Sequence, residues 1–409
     1  MATSEAPREQ LAGRLADTNL VAGVLAESTA PIGAANPKAI AEFKLGRTLD
    51  PKAADFQETV ASALGKPYDQ LFDPKFGSVV FSGIARVLAA PALPAAANEV
   101  VAAKVSPAVT EARVAPVVTE AKVSSAVIQA IEVERPIWWP IVLSDLSYDV
   151  PGEFIVDVPT ATSPVQGGLA DCWLVSSMAS VAWCHPDLIS ERTLKAGTGV
   201  VAAGGADYEF TFYSMDAGDN GKSYVVKDDV PQSGGGYIYA RSNVAGETWP
   251  ANLEKAFIGV IGATGFGEPS STNYNELNYN WPDHGVAALV GRPPWRENAN
   301  AADAWTKINS HCTNGRATDP MVAWTFGTGS ATVHYDGTSG IVANHAYSIL
   351  GTETSGGHNY VVLRNPWGNT EATLNVLPGT WQGLTLPGDG VFALRMDTFA
   401  QYYAAFGGA

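Results

Sequence analysis

Apolar positions recur at helical spacing in three stretches of the chain. Ala53, Phe56, Val60 and Leu64 predict a helix near the N-terminus, with Asp50 as N-cap and Pro51 at the first helical position. Leu174, Met178 and Val181 line one side of a second helix over 172–183, with Val175, Ala179 and Ala182 adjacent. A third helix is predicted over 249–261. Alternation with a period of two predicts strands over 208–213, 223–227, 341–350 and 360–364. In the 341–350 strand, Ile341, Ala343, His345, Tyr347 and Ile349 share one face. An all-helical fold and a purely parallel doubly wound sheet both fit this pattern badly. A mixed α+β unit of about 270 residues fits it well.

The segments before and after residue 135 differ in character. Residues 1–94 form an Ala-rich, partly helical region. Residues 95–135 form a repetitive linker, in which VSPAVTEAR, VAPVVTEAK and VSSAVIQAI make three nine-residue copies, the last degraded. Three short copies are too few for a solenoid, and Pro107 and Pro116 interrupt any helix, so the expectation is an extended, protease-sensitive connection. From Arg135 onward Trp, Tyr, Gly and Asn become common.

Composition narrows the function classes. Of 409 residues, 46% are hydrophobic, enough for a large core, and the formal net charge is −16. With no run of Lys and Arg to offset that field, nucleic acid is not an expected partner. The N-terminus lacks a basic start followed by an apolar run, and the apolar stretch 79–97 is broken by Arg86, Pro91 and Pro94. A secretory leader and a membrane span are therefore not expected, and the assignment is cytoplasmic. Cys172, Cys184 and Cys312 make no disulfide framework and no Cys-x-x-Cys metal pair.

Cys172 opens the 172–183 helix, where unpaired backbone N–H groups and the helix dipole favour thiolate. Taken alone it reads equally as a small buried hydrophobe. Gln166 lies six residues before the Cys172–Trp173 pair, the arrangement in which papain-type proteases combine a glutamine amide and the cysteine N–H as an oxyanion hole. The segment QGGLADCWLVSSMAS (166–180), preceded by FIVD (154–157), resembles the calpain family of cysteine proteases. In family order follow SYVVKDDVPQ (223–232), GETWPANLEKAF (246–257), NHAYSILG (344–351), LRNPWGNTE (363–371) and DGVFALRMDTF (389–399). The similarity covers about residues 138–403 and is to a calpain-like catalytic core of bacterial type.

That resemblance implies a papain-like core in two lobes, a helical Cys lobe over 136–268 and a β-rich His/Asn lobe over 269–409. It implies an endopeptidase acting on proteins through a thioester. Cys172 would be the nucleophile, His345 the general base paired with it as imidazolium, and Asn365 the group orienting the imidazole. Gln166 would hold the oxyanion, with Trp173 and Trp367 as supports. Its own N-terminal region, removed by self-cleavage, is a further candidate substrate. Two rivals stay open: an inactive binding module, and an acyltransferase or amidase on the same fold. His284, His311, His334 and His358 match no family position, His185 makes no dyad with Cys184 because neighbouring residues on a helix do not face each other, and Cys184 and Cys312 read as packing residues. Calcium is the cofactor the family suggests, and Glu247, Glu371 and Asp389 stand at its acidic positions. Ser163 and Val391 stand where further carboxylates are expected, so no cofactor is expected to be required.

Overall fold

A computed structural model of the chain describes residues 33–34, 36–45, 47–50, 53–64, 129–130, 146–149, 152–156, 158–190, 193–196, 207–215, 220–233, 236–264, 274–327, 335 and 339–409. Two short helices lead. In α1 (Pro37–Leu45) Pro37 takes the first helical position and Asn36 caps the start, its Oδ1 accepting from Ala39 N at 3.3 Å. Helix α2 (Phe56–Leu64) begins later than the Asp50 signal predicts. The Asp50 carbonyl instead accepts from Ala53 N (3.1 Å), closing a turn before the helix. The two helices bury Ile40, Ala41, Leu49, Val60 and Leu64 in a small core of their own.

Most of the repeat region lies outside the described residues. Within it, Gln129–Ala130 form β1, which pairs in parallel with Lys222–Lys227, so those two residues are not free linker. The first sheet has the order β1, β4 (Lys222–Lys227), β3 (Asp207–Phe212), β2 (Thr193–Ala196).

The centre of the molecule is α3 (Cys172–Cys184). Every residue from Cys172 to Trp183 is buried, so the helix carries no solvent face beside the apolar side read from its sequence. A helix apolar all round belongs in a core, and its serines are tolerated because each finds a partner. Ser177 Oγ donates to Trp173 O (2.7 Å), Ser180 Oγ to Met321 O (2.8 Å), and Trp183 Nε1 to Leu350 O (2.7 Å). Helix α4 (Trp249–Thr264) and helix α5 (Pro282–Val290) pack beside α3.

On its other side α3 meets the large sheet, whose path is β5 (Trp295–Asn298), β11 (Tyr403–Gly408), β6 (Arg316–Thr325), β7 (Ala346–Ser355), β8 (His358–Arg364), β10 (Val391–Arg395) and β9 (Val376–Leu377). Neighbours on this path pair antiparallel. Helix α6 (Met396–Tyr402) packs on β8, β10 and β11. Helices and sheets share one continuous hydrophobic core, the α+β class expected.

The predicted 341–350 strand starts only at Ala346. Asn344 sits at φ 51°, a left-handed conformation that breaks the alternation one residue before His345. The shared face of Ile341, Ala343, His345, Tyr347 and Ile349 therefore does not exist as one strand face. Both faces of β7 are instead buried: Ser348 Oγ donates to Ser176 O of α3 (2.7 Å), while the Tyr347 ring packs on Phe392 and Tyr403. No helix among the described residues is long and apolar enough to cross a membrane.

Candidate active site

The loop before α3 is held by backbone contacts that leave no room for side chains. Gly168 N donates to Ile238 O (2.9 Å), and a Cβ on Gly167 would lie 2.2 Å from Tyr239 O. Gln166 N donates to Pro366 O at 2.9 Å, tying this loop to the one after β8. That bond brings Gln166 and Cys172 together with the Asn365–Trp367 segment across the cleft.

Asn365 is fixed at both ends of its amide. Its Nδ2 donates to Thr370 O (2.9 Å), and its Oδ1 accepts from Trp367 N (3.0 Å). Backbone groups thus settle which amide atom is oxygen, and His345 Nε2, 2.8 Å from Oδ1, must be the proton donor. The neutral imidazole then has its lone pair on Nδ1, which is buried and has no hydrogen-bond partner among the described residues. The Trp367 ring lies 4.7 Å from the His345 ring, centroid to centroid, and excludes water from the pair. Ala346, the residue after His345, donates its N–H to Cys172 Sγ at 3.4 Å. The thiol, the imidazole and its asparagine are therefore assembled at one place.

Trp173 points away from the thiol into the core. Its Nε1 donates to Leu277 O (2.7 Å) and its ring packs edge-on to Phe257 at 5.7 Å. It supports the site by anchoring the first turn of α3.

The protonation states differ from the thiolate–imidazolium expectation. Cys172 and His345 are both fully buried. Burial pushes the Cys172 thiol up to about 12, outweighing the Ala346 and Ala34 backbone N–H groups that favour thiolate. Burial likewise pulls His345 down to about 3 against the Asn365 hydrogen bond. In this closed arrangement a neutral thiol faces a neutral imidazole, because desolvation outweighs the helix-terminus effect of a few tenths to about 2 kcal/mol.

Two carboxyls beneath the thiol carried no signal in the sequence. Asp171 and Glu254 are fully buried against one another, and Ala240 N donates to both Glu254 oxygens at 3.2 and 3.1 Å. Burial raises Asp171 to about 6, and burial with the adjacent Asp171 charge holds Glu254 well above its ordinary value. A carboxyl raised on folding contributes stability that is complete below its unfolded value near 4 and lost as pH rises through the folded value. Glu254→Gln keeps an acceptor for Ala240 N while removing one titrating group. The urea midpoint of the variant is expected to fall less than that of the wild type between pH 4.5 and about 7. Parallel pH curves for the two proteins would show that the pair does not titrate in this window.

The remaining candidates lie elsewhere. Cys184 Sγ donates to Ala317 O and Cys312 Sγ to Ile308 O, both at 3.4 Å, and burial raises both thiols. His311 Nδ1 lies 3.0 Å from Asp319 Oδ2, outside the cleft. His334 is outside the described residues.

The positions that the family resemblance links to calcium hold Glu247 in the first half and Glu371 and Asp389 in the second. Glu247 Oε2 accepts from Ser242 Oγ (2.6 Å), and its buried Oε1 has no partner among the described residues, which alone would suit a cation. The second carboxylate is replaced by buried Ser163, whose hydroxyl is used by Thr160 N (3.2 Å) and Thr160 Oγ1 (3.0 Å). Glu371 Oε1 accepts from Gly390 N (2.7 Å), and Val391 is a buried strand residue beyond Asp389. Among the described residues no group of three or more His, Cys, Asp or Glu side chains could hold a metal ion. Calcium wants six to eight oxygens, several of them charged, whereas the first place offers the single carboxylate Glu247 and the second offers Glu371 and Asp389.

A cysteine at the start of a buried helix, facing a histidine and an asparagine carried by an antiparallel sheet, is the architecture of a papain-like cysteine protease core. Residues 126–381 match the profile of the calpain family cysteine proteases. The chain belongs to that family. It is 26% identical over 282 residues to a thiol protease of Porphyromonas gingivalis, covering 59% of this chain and 54% of the relative. To the calpain-1 catalytic subunit of Sus scrofa it is 26% identical over 251 residues, covering 60% of this chain and 32% of the relative. To the calpain-2 catalytic subunit of Rattus norvegicus it is 27% identical over 227 residues, covering 54% and 30%. The chain thus spans about half of the bacterial relative and about a third of the calpains.

Proposed function

We propose that the chain is a cysteine endopeptidase that hydrolyses peptide bonds in proteins. The observation that carries this reading is the His345–Asn365 pair at 2.8 Å, with its unpartnered Nδ1, set one residue from the backbone N–H that touches Cys172 Sγ. With substrate bound, Nδ1 takes the thiol proton and Sγ attacks the peptide carbonyl, while Gln166 Nε2 and the Cys172 N–H stabilise the oxyanion. The imidazolium returns the proton to the leaving amine, and water then resolves the thioester. Asn365 keeps the ring in the tautomer that makes this sequence work. Internal cuts in casein, identified by mass spectrometry of the fragments, test the reading. Transfer of acyl groups to an added amine without hydrolysis would favour the acyltransferase, and binding without turnover would favour the non-catalytic module.

The same proposal holds that no metal is required. Casein cleavage in excess chelator is expected to stay within about threefold of that in millimolar calcium, since the carboxylate count is too low for a tight site. A rise of about a hundredfold on adding calcium would restore a calcium switch.

A further inference from the structure

The cleft is not empty: Gly33, Ala34 and Asn36, just before α1, lie in it. Asn344 Nδ2 donates to Gly33 O at 3.1 Å. Gln166 Nε2 donates to Ala34 O at 2.8 Å, and Asn36 Nδ2 donates to Gln166 O at 2.9 Å. Ala34 is buried with Val342 and Trp367, and its backbone N–H acts on the Cys172 thiol. A Cβ on Gly33 would lie 2.5 Å from the Tyr279 ring and 2.6 Å from Ala170 O, so only glycine fits there. Asn36 is itself fully buried, although it precedes the core by more than a hundred positions in the chain. The hydrogen bonds fall on Gln166 and on Asn344, the residue before His345.

We propose that residues 33–36 are the chain's own first substrate, blocking the cleft until Cys172 cuts the bond on the C-terminal side of Ala34. The reasoning rests on the endopeptidase reading. The group that would stabilise an oxyanion already holds the Ala34 carbonyl, and the thiol lies beside the same residue. Cys172 Sγ adds to the Ala34 carbonyl carbon and its proton passes to His345 Nδ1. The bond from that carbon to the nitrogen of residue 35 breaks, and the nitrogen takes the proton from His345. Water cleaves the resulting thioester, releasing residues 1–34 with a new carboxylate and regenerating the thiol. Before the cut, the segment accounts for the complete burial of Cys172 and His345 and keeps other polypeptides out. Because substrate and catalyst are one chain, the first cut is independent of protein concentration.

Two measurements on the full chain test this. Intact mass and N-terminal sequencing of incubated wild-type protein are expected to show a new start at Ala35, at a rate unchanged by dilution and absent in Cys172→Ala. A protein that degrades casein with residues 33–36 intact, or whose first cut falls elsewhere, would overturn the proposal. The blocking role is read separately, without any peptidase activity, from alkylation of Cys172 by iodoacetamide. Gly33→Val cannot seat the segment and is expected to label at Cys172 at least about tenfold faster than the uncut wild type. Cys184 and Cys312 report in the same spectra whether the core remains folded. Equal labelling of Cys172 in the two proteins would show that the segment does not block the cleft. Faster labelling with no cut in casein or in the chain would remove the endopeptidase reading and the cut, and leave the block.

Discussion

Cys172→Ala is expected to abolish peptide hydrolysis, lowering turnover by about four to six orders of magnitude, with no loss of fold. The thiol is fully buried at the first residue of α3, where its sulfur accepts a 3.4 Å hydrogen bond from Ala346 N. Replacing it removes a single sulfur atom from a site already lined by apolar neighbours. His345→Ala is expected to cost nearly as much, and the double variant no more than either single one, because nucleophile and base act as one unit. Asn365→Ala is expected to be milder, on the order of a hundredfold, since it removes the group that selects the tautomer and leaves the base in place. Casein turnover by the four variants, with thermal melting as the fold control, gives the ordering. A double variant much slower than either single one would mean that Cys172 and His345 work independently.

The largest expected effect on stability comes from Trp173→Ala. This side chain is fully buried, and its removal empties an aromatic-sized volume beside Phe257. It also strips the Leu277 carbonyl of the indole N–H that now reaches it at 2.7 Å. Cavity formation of this kind costs about 3–5 kcal/mol, and the stranded carbonyl adds to that cost. Urea denaturation is expected to show the loss as a lower midpoint with an unchanged slope. Activity per folded molecule should also drop, because Trp173 anchors the helical turn that carries Cys172. Trp173→Phe retains most of the volume and is expected to recover the packing but not the hydrogen bond. A variant within about 1 kcal/mol of wild type would show that the turn does not depend on this anchor.

Local patterns in the chain were enough to specify several elements and the chemistry they carry. The 172–183 helix and the strands after 207 and 222 follow from short stretches in which residue type and spacing are informative, while Cys172, His345, Asn365 and Gln166 stand out as candidates through motifs that resemble the calpain family. Tertiary structure decided what those patterns leave open. Periodicity identified one apolar side of α3, whereas packing against α5 and β7 buries the whole helix. Residue-type rules favoured a thiolate at a helix start, whereas complete burial pushes the thiol up and shifts the balance toward the neutral form. The Asp171–Glu254 pair joins residues far apart in the chain, and so does the contact of Gln166 with Ala34 across 132 positions. Secondary-structure propensity acts over a few neighbouring residues, while burial, desolvation and the occupancy of a cleft depend on which distant segments meet there. That is why the candidate site residues could be named from the chain and the state in which they are held could not.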